Sequence, residues 1–125
     1  MPLRHLDHVN LCTADVERML AFYEDVLGMK RGPRPPFSFG GAWLYLGERP
    51  VVHLVAVAKP PEPYGELRIA HFAFSADGLA DFVERLAGAG VKYRVSVQTG
   101  FGTRQINLED PDGNRLHVDF PASEA

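Results

Sequence analysis

The chain repeats itself, and the repeat limits the fold more than any other feature. "HVNLCTAD", starting at residue 8, lies over "HFAFSAD", starting at residue 71, and "VVHLVAV" lies over "RLHVDF". This alignment matches His8 with His71 and His53 with His117. The separations are 45 residues in the first copy and 46 in the second. Self-similarity at a fixed interval marks a duplicated structural unit.

Each copy reads as strand–helix–strand–strand–strand. In the first, Val9 and Leu11 alternate with His8, Asn10 and Cys12, the period of a half-buried strand. Thr13 or Asp15 caps a helix in which Val16, Met19, Leu20, Tyr23, Val26 and Leu27 recur at helical spacing, with Gly28 as its stop. The Pro-rich aromatic loop "RGPRPPFSFGGAW" leads into strands "WLYLG" and "PVVHLVAV". The second copy runs "RIAHFAFSAD", helix "GLADFVERLAGAG", then strands "VKYRVSV", "TRQINLE" and "NRLHVDF". "AKPPEPYGE" between them is too rich in proline for a helix or a central strand. The expected class is α+β, one domain over 1–125, with module one at about 4–58, a linker at about 59–67 and module two at about 68–121.

Alternation also sets where the histidines point. Val9, Val52, Leu54, Phe72, Leu116 and Val118 face a covering helix, which leaves His8, His53, His71 and His117 on the opposite face with Asn10, Ala73, Val55 and Asp119. Protonated imidazoles crowded on one face repel, so something must hold them neutral. Two occupants do so: a divalent metal, or water or an organic ligand in a polar cavity. His5 is offset from His8 and is expected at the surface. Cys12 has no charged partner in the sequence that would make it a nucleophile.

Composition closes off several classes. Thirteen basic and 16 acidic residues give a net charge of −3, and the arginines form no stripe, which argues against nucleic acid. No apolar run approaches the ~18 residues of a membrane span. The N-terminus "MPLRHLDHVNL" lacks the apolar stretch of a signal peptide. The single cysteine fits a reducing compartment, so a cytoplasmic location is expected.

"LDHVNL", the helix end "AFYEDVLGMK", "AHFAFSA" and above all "EDPDGNRLHV" resemble, in that order, the vicinal oxygen chelate superfamily of glyoxalases, bleomycin-resistance proteins and extradiol dioxygenases. The resemblance covers nearly the whole chain. It implies paired βαβββ modules forming a cup-shaped, curved mixed sheet, with metal ligands on the first and last strands of each module. The matching residues are His8, His53, His71 and His117. It implies one divalent ion per site, zinc, nickel, cobalt or iron. Glyoxalase I enzymes carry glutamate at the positions of His53 and His117, and fosfomycin-resistance and extradiol enzymes carry it at that of His117. An all-histidine set leaves the ion its full positive charge and makes it a stronger Lewis acid. Asp119 is expected to orient a ligand from behind.

Asn10 shares the His8 face and is placed to bond a substrate or fix a ligand. Phe37, Phe39, Trp43 and Tyr45 are expected to divide between lining an apolar cavity and packing. Arg34 and Arg104 are candidates for a substrate carboxylate. The function implied is a metal-dependent enzyme binding a small substrate through vicinal oxygens. Zinc, nickel or cobalt goes with lyase or isomerase chemistry, and iron with oxygenation. The alternative is a metal-free drug-binding protein with an aromatic groove. Two modules in this length suggest a homodimer, with sites within one chain or shared between chains.

Overall fold

The first helix forms because its apolar residues fall on one side and its start is capped. In the computed structural model, which describes residues 2–61 and 68–124, Asp15 Oδ1 accepts from the Arg18 backbone N–H at 3.1 Å. Strand β1 (Val9–Thr13) leads into this helix, α1 (Val16–Ala21), which packs on the sheet with Met19 and Leu20 buried. The sequence suggests one helix to Leu27; instead the last turn widens into a π-turn over Phe22–Val26. The wider turn keeps Phe22, Tyr23 and Val26 all buried. Gly28, at φ 74°, then ends it.

The remaining strands of the first unit are β2 (Lys30–Gly32), β3 (Gly41–Leu46) and β4 (Arg49–Ala56). The second unit contains β5 (Phe72–Ser75), α2 (Leu79–Ala89), β6 (Arg94–Val97), β7 (Arg104–Glu109), β8 (Arg115–Phe120) and a short 3₁₀ turn at Ala122–Glu124. The units are Met1–Glu62 and Pro63–Ala125. Most of the expected linker, residues 62–67, lies outside the described residues.

Both sheets have four strands and the same topology, β1-β4-β3-β2 and β5-β8-β7-β6. In each, the first and last strands of the module pair in parallel and the other neighbours are antiparallel. The fold is therefore α+β with two mixed sheets. Val52, Leu54, Leu116 and Val118 are buried as their alternation requires. Each such fully buried aliphatic side chain stabilises the fold by about 1.5–3 kcal/mol. Among the described residues no helix is long and apolar enough to cross a membrane.

Two local devices fix the second unit. Asp110, buried in the "DPDG" turn, accepts from the Asp112 and Asn114 backbone N–H groups with Oδ1 and from Asn114 Nδ2 with Oδ2. This sets the entry into β8. Helix α2 has no side-chain cap of its own, because Gly78 occupies the N-cap position. Glu124 supplies one from the far end of the unit: its Oε1 accepts from the Gly78 and Leu79 N–H groups at 2.8 and 3.2 Å. Glu124→Ala is expected to lower stability by about 1 kcal/mol, in line with a lost cap. Urea denaturation checks it, and Glu124→Gln, which keeps an acceptor oxygen, should recover most of the loss.

Candidate metal centre

The parallel pairing of first and last strands puts each copy's histidines side by side. In the second unit, Ala73 pairs with His117 across β5 and β8, and His71 immediately precedes β5 on the same face. The His71 and His117 rings lie 4.7 Å apart between centroids, tilted by 43°. Two imidazoles bound to one ion at ~2.1 Å place their ring centres roughly 4.5–5 Å apart. His117 Nδ1 donates to Asp119 Oδ1 at 2.5 Å, which leaves Nε2 as the ring's free acceptor. A carboxylate holding the far nitrogen in this way fixes both tautomer and ring direction for a metal ligand.

The rest of that face is polar. Across β7, Asn107 pairs with His117 and Gln105 with Asp119, and on β6 Ser96 pairs with Gln105. Asn107 Nδ2 donates to Ser96 Oγ at 2.9 Å and to the Arg94 carbonyl at 3.1 Å, which ties β6 and β7 together beside the histidines. A cleft of about 820 Å³ opens over this face, with His71 and His117 in its lining. Gln105 and Asn107 were legible in "TRQINLE", where they alternate with Ile106 and Leu108. Register alone shows that their side of the strand is the one His117 occupies.

The first unit builds a different pair. His53 pairs with Asn10 on β1 and with Trp43 on β3, so all three share a face. The rings form a stack: His8 on His53 at 3.8 Å and 12°, His53 on Trp43 at 3.9 Å and 9°. His53 Nε2 donates to the Pro50 carbonyl at 2.9 Å, across an irregularity in the β3–β4 register. His8 Nδ1 donates to Asp7 Oδ2 at 2.8 Å, a bond that lowers the Asp7 carboxyl below the usual carboxylate range. An imidazole lone pair lies in the plane of its own ring. Two rings stacked face to face therefore cannot both aim at one ion. The spacing and tilt of the His71 and His117 rings are compatible with a shared ion, whereas His8 and His53 stand as stacked plates. Within neither unit does a set of three or more His, Cys, Asp or Glu residues suited to one ion occur among the described residues.

The other candidates are placed as follows. Phe37 and Phe39 stack at 4.8 Å, and Phe37 extends the aromatic series from Trp43 at 6.3 Å. Arg34 lies against both phenyl rings, 5.1 and 5.5 Å from their centroids, and donates to the Phe39 carbonyl, so its guanidinium serves the loop. Tyr45 covers Gly32 and donates to the Pro33 carbonyl. Asn10 is exposed beside His53. Arg104 stands opposite Phe120, on the face of β7 that carries Ile106, and donates to the Gly102 carbonyl. It is turned away from the His117 face, as the parity of its strand requires. His5 and Cys12 are exposed.

Burial, followed by the nearby His8 charge, lowers the His53 pKa below its ordinary value. The folded protein therefore resists a proton that the unfolded chain accepts at about pH 6.5. The stability from a neutral His53 is complete above that pH and is lost as pH falls from ~6.5 through the lowered folded value. For chelator-treated protein, the urea midpoint is expected to drop between pH 7.5 and 5.5, and to drop less in His53→Gln.

Comparison with known proteins agrees with this architecture. The family model described as the Glyoxalase/Bleomycin resistance protein/Dioxygenase superfamily matches residues 5–118. A lactoylglutathione lyase of Salmonella typhimurium is 30% identical over 124 residues, spanning 89% of this chain and 88% of that protein. Glyoxylase I 4 of Arabidopsis thaliana is 28% identical over 123 residues, spanning 93% of this chain and 70% of that protein. Among solved structures, a glyoxylase/bleomycin resistance protein/dioxygenase domain from Frankia sp. shares the fold. Its TM-score is 0.79 at 22% identity, over 96% of this chain and 99% of that one.

Proposed function

Because the chain belongs to the glyoxalase/bleomycin resistance protein/dioxygenase superfamily, we propose that it is a divalent-metal-dependent enzyme acting on a small substrate through neighbouring oxygens. The observation that carries this reading is the His71–His117 pair. Its spacing suits one ion, its Nε2 acceptor on His117 is free, and Asp119 holds that ring from behind. A bound divalent ion supplies Lewis acidity toward negative charge developing on substrate oxygens. His71 and His117 would hold the ion. The Asp119 carboxylate keeps the Nδ1 proton on His117 and the ring directed. Asn107, braced by Ser96, keeps the adjoining floor polar and fixed.

Lyase or isomerase chemistry is preferred to oxygenation, because the relatives at 28–30% identity are a glyoxylase and a lactoylglutathione lyase. Metal content per chain, measured by mass spectrometry on untagged protein purified without added metal or chelator, tests the reading. Near-stoichiometric zinc, nickel or cobalt supports it, iron moves the chemistry to oxygenation, and no metal before or after soaking overturns it. Asp119→Asn is expected to weaken metal binding by about 10–100-fold without unfolding the protein. Competition with a chelating dye measures that shift.

The stacked His8–His53–Trp43 series favours a second reading, a metal-free protein that holds a planar ligand against aromatic rings. Loss of metal in His71→Ala with retention in His53→Ala would keep the two units' roles apart as described. Equal loss in both would add His53 to the ligand set.

A further inference from the structure

The cleft of the second unit carries more positive charge than a chain of net charge −3 leads one to expect. Lys92, Arg94 and Arg115 line it, against one carboxylate, Glu109. Glu109 pairs with Arg115 across β7 and β8, but no ion pair joins them. Among the described residues, none of the three cationic heads is engaged by a carboxylate. Arg94 and Arg115 are exposed. Unpaired cations gathered over one polar floor concentrate anions there.

Register fixes their distance from the histidines. Arg94 pairs with Asn107, and Asn107 pairs with His117, so Arg94 lies two strands from His117, at about 10 Å along the sheet. Arg115 precedes His117 by two positions on the same face, about 7 Å away. The two arginines therefore leave the sheet from positions on different sides of His117, on the face it occupies. The 820 Å³ cleft between them is in the size range of small-molecule sites. The Asn107 amide is already committed to Ser96 and to the Arg94 carbonyl, so the floor beside His117 is stiff and the charged donors of the cleft are Lys92, Arg94 and Arg115.

We propose that this cleft binds a carboxylate carried by the substrate, held by Arg94 and Arg115 with Lys92 beside them, roughly three to five bonds from the substrate end that faces His71 and His117. The substrate class is then a small acid whose charged group is remote from its reacting oxygens. This assignment rests on the reading of His71 and His117 as the metal-facing end. The carboxylate site itself can be tested apart from it.

The test is isothermal titration of the wild-type protein with glutarate and with glutaramide, which has the same chain length and no charge. Arg94→Gln, Arg115→Gln and the double variant follow, with metal content measured on each sample. Glutarate is expected to bind at least tenfold more tightly than glutaramide and to weaken as salt is raised. The double variant is expected to lose at least tenfold for glutarate with its metal content and circular dichroism unchanged. Equal affinity for the two probes, or glutarate binding indifferent to both substitutions, overturns the assignment and leaves the metal reading untouched. Discrimination in a wild-type protein that takes up no metal on soaking supports the carboxylate site and sinks the metal reading alone.

Discussion

Alanine at His117 is expected to leave the protein almost free of metal, with content below a tenth of wild type, and to abolish turnover. On the proposed reading, the substitution removes a direct metal donor together with the ring that Asp119 orients. The loss should exceed the roughly 10–100-fold typical when only an orienting partner is removed. Folding should survive, because the Asp119 carboxylate left behind keeps about a quarter of its side-chain surface exposed and can be hydrated. Mass spectrometry for metal, with a thermal melt beside it, gives both readings. A variant that melts like wild type and keeps its metal would remove His117 from the site.

Gly41→Ala should be the most disruptive single-atom-group change in the first unit. A Cβ at Gly41 would lie 2.1 Å from the Leu54 carbonyl oxygen and 3.1 Å from its carbon, both backbone atoms that no rotamer change can move. Strand β3 must then separate from β4, and overpacking of this kind costs about 3 kcal/mol or more. Trp43 sits two residues further along β3, so its stack on His53 opens as well. Because Trp43 is the only tryptophan, its emission reports this directly. Gly47→Ala is the control. Nothing lies within 4 Å of its added Cβ, and only the positive φ of 60° is strained, at about 1 kcal/mol.

Much of the fold can be read from the sequence because the duplicated pattern gives each element twice. The helix "GLADFVERLAGAG" and strands "TRQINLE" and "NRLHVDF" stand within a residue or so of their places. Strand β2 gives no such signal: Lys30, Arg31 and Gly32 are all exposed and offer no apolar alternation. The strand in "VKYRVSV" begins only at Arg94. Helix α1 shows the limit of periodicity, since the spacing through Leu27 suits both an α-helix and the π-turn that replaces its end.

The site was legible to the level of faces and no further. Alternation places the four histidines, Asn10 and Asp119, and applied to "TRQINLE" it also turns Arg104 away. Ring orientation lies beyond alternation. The His53–Trp43 stack depends on which residue of β3 lies opposite His53 and on the irregular register between Leu44 and Tyr45. The Arg94 and Arg115 positions depend on three strands being in register at once. Neither depends on any short stretch of sequence.

The parallel closure of each module has a consequence for the order in which the chain becomes competent. Neighbours such as Ala73 and His117 are brought together by the last strand of the unit, after its helix and two intervening strands have passed. Such distant contacts carry the largest loop-closure cost and form late. A growing polypeptide thus carries His71 for more than forty residues without its neighbour His117. On the proposed metal reading, the pair is complete only when "NRLHVDF" docks, so selection of an ion would belong to the finished module.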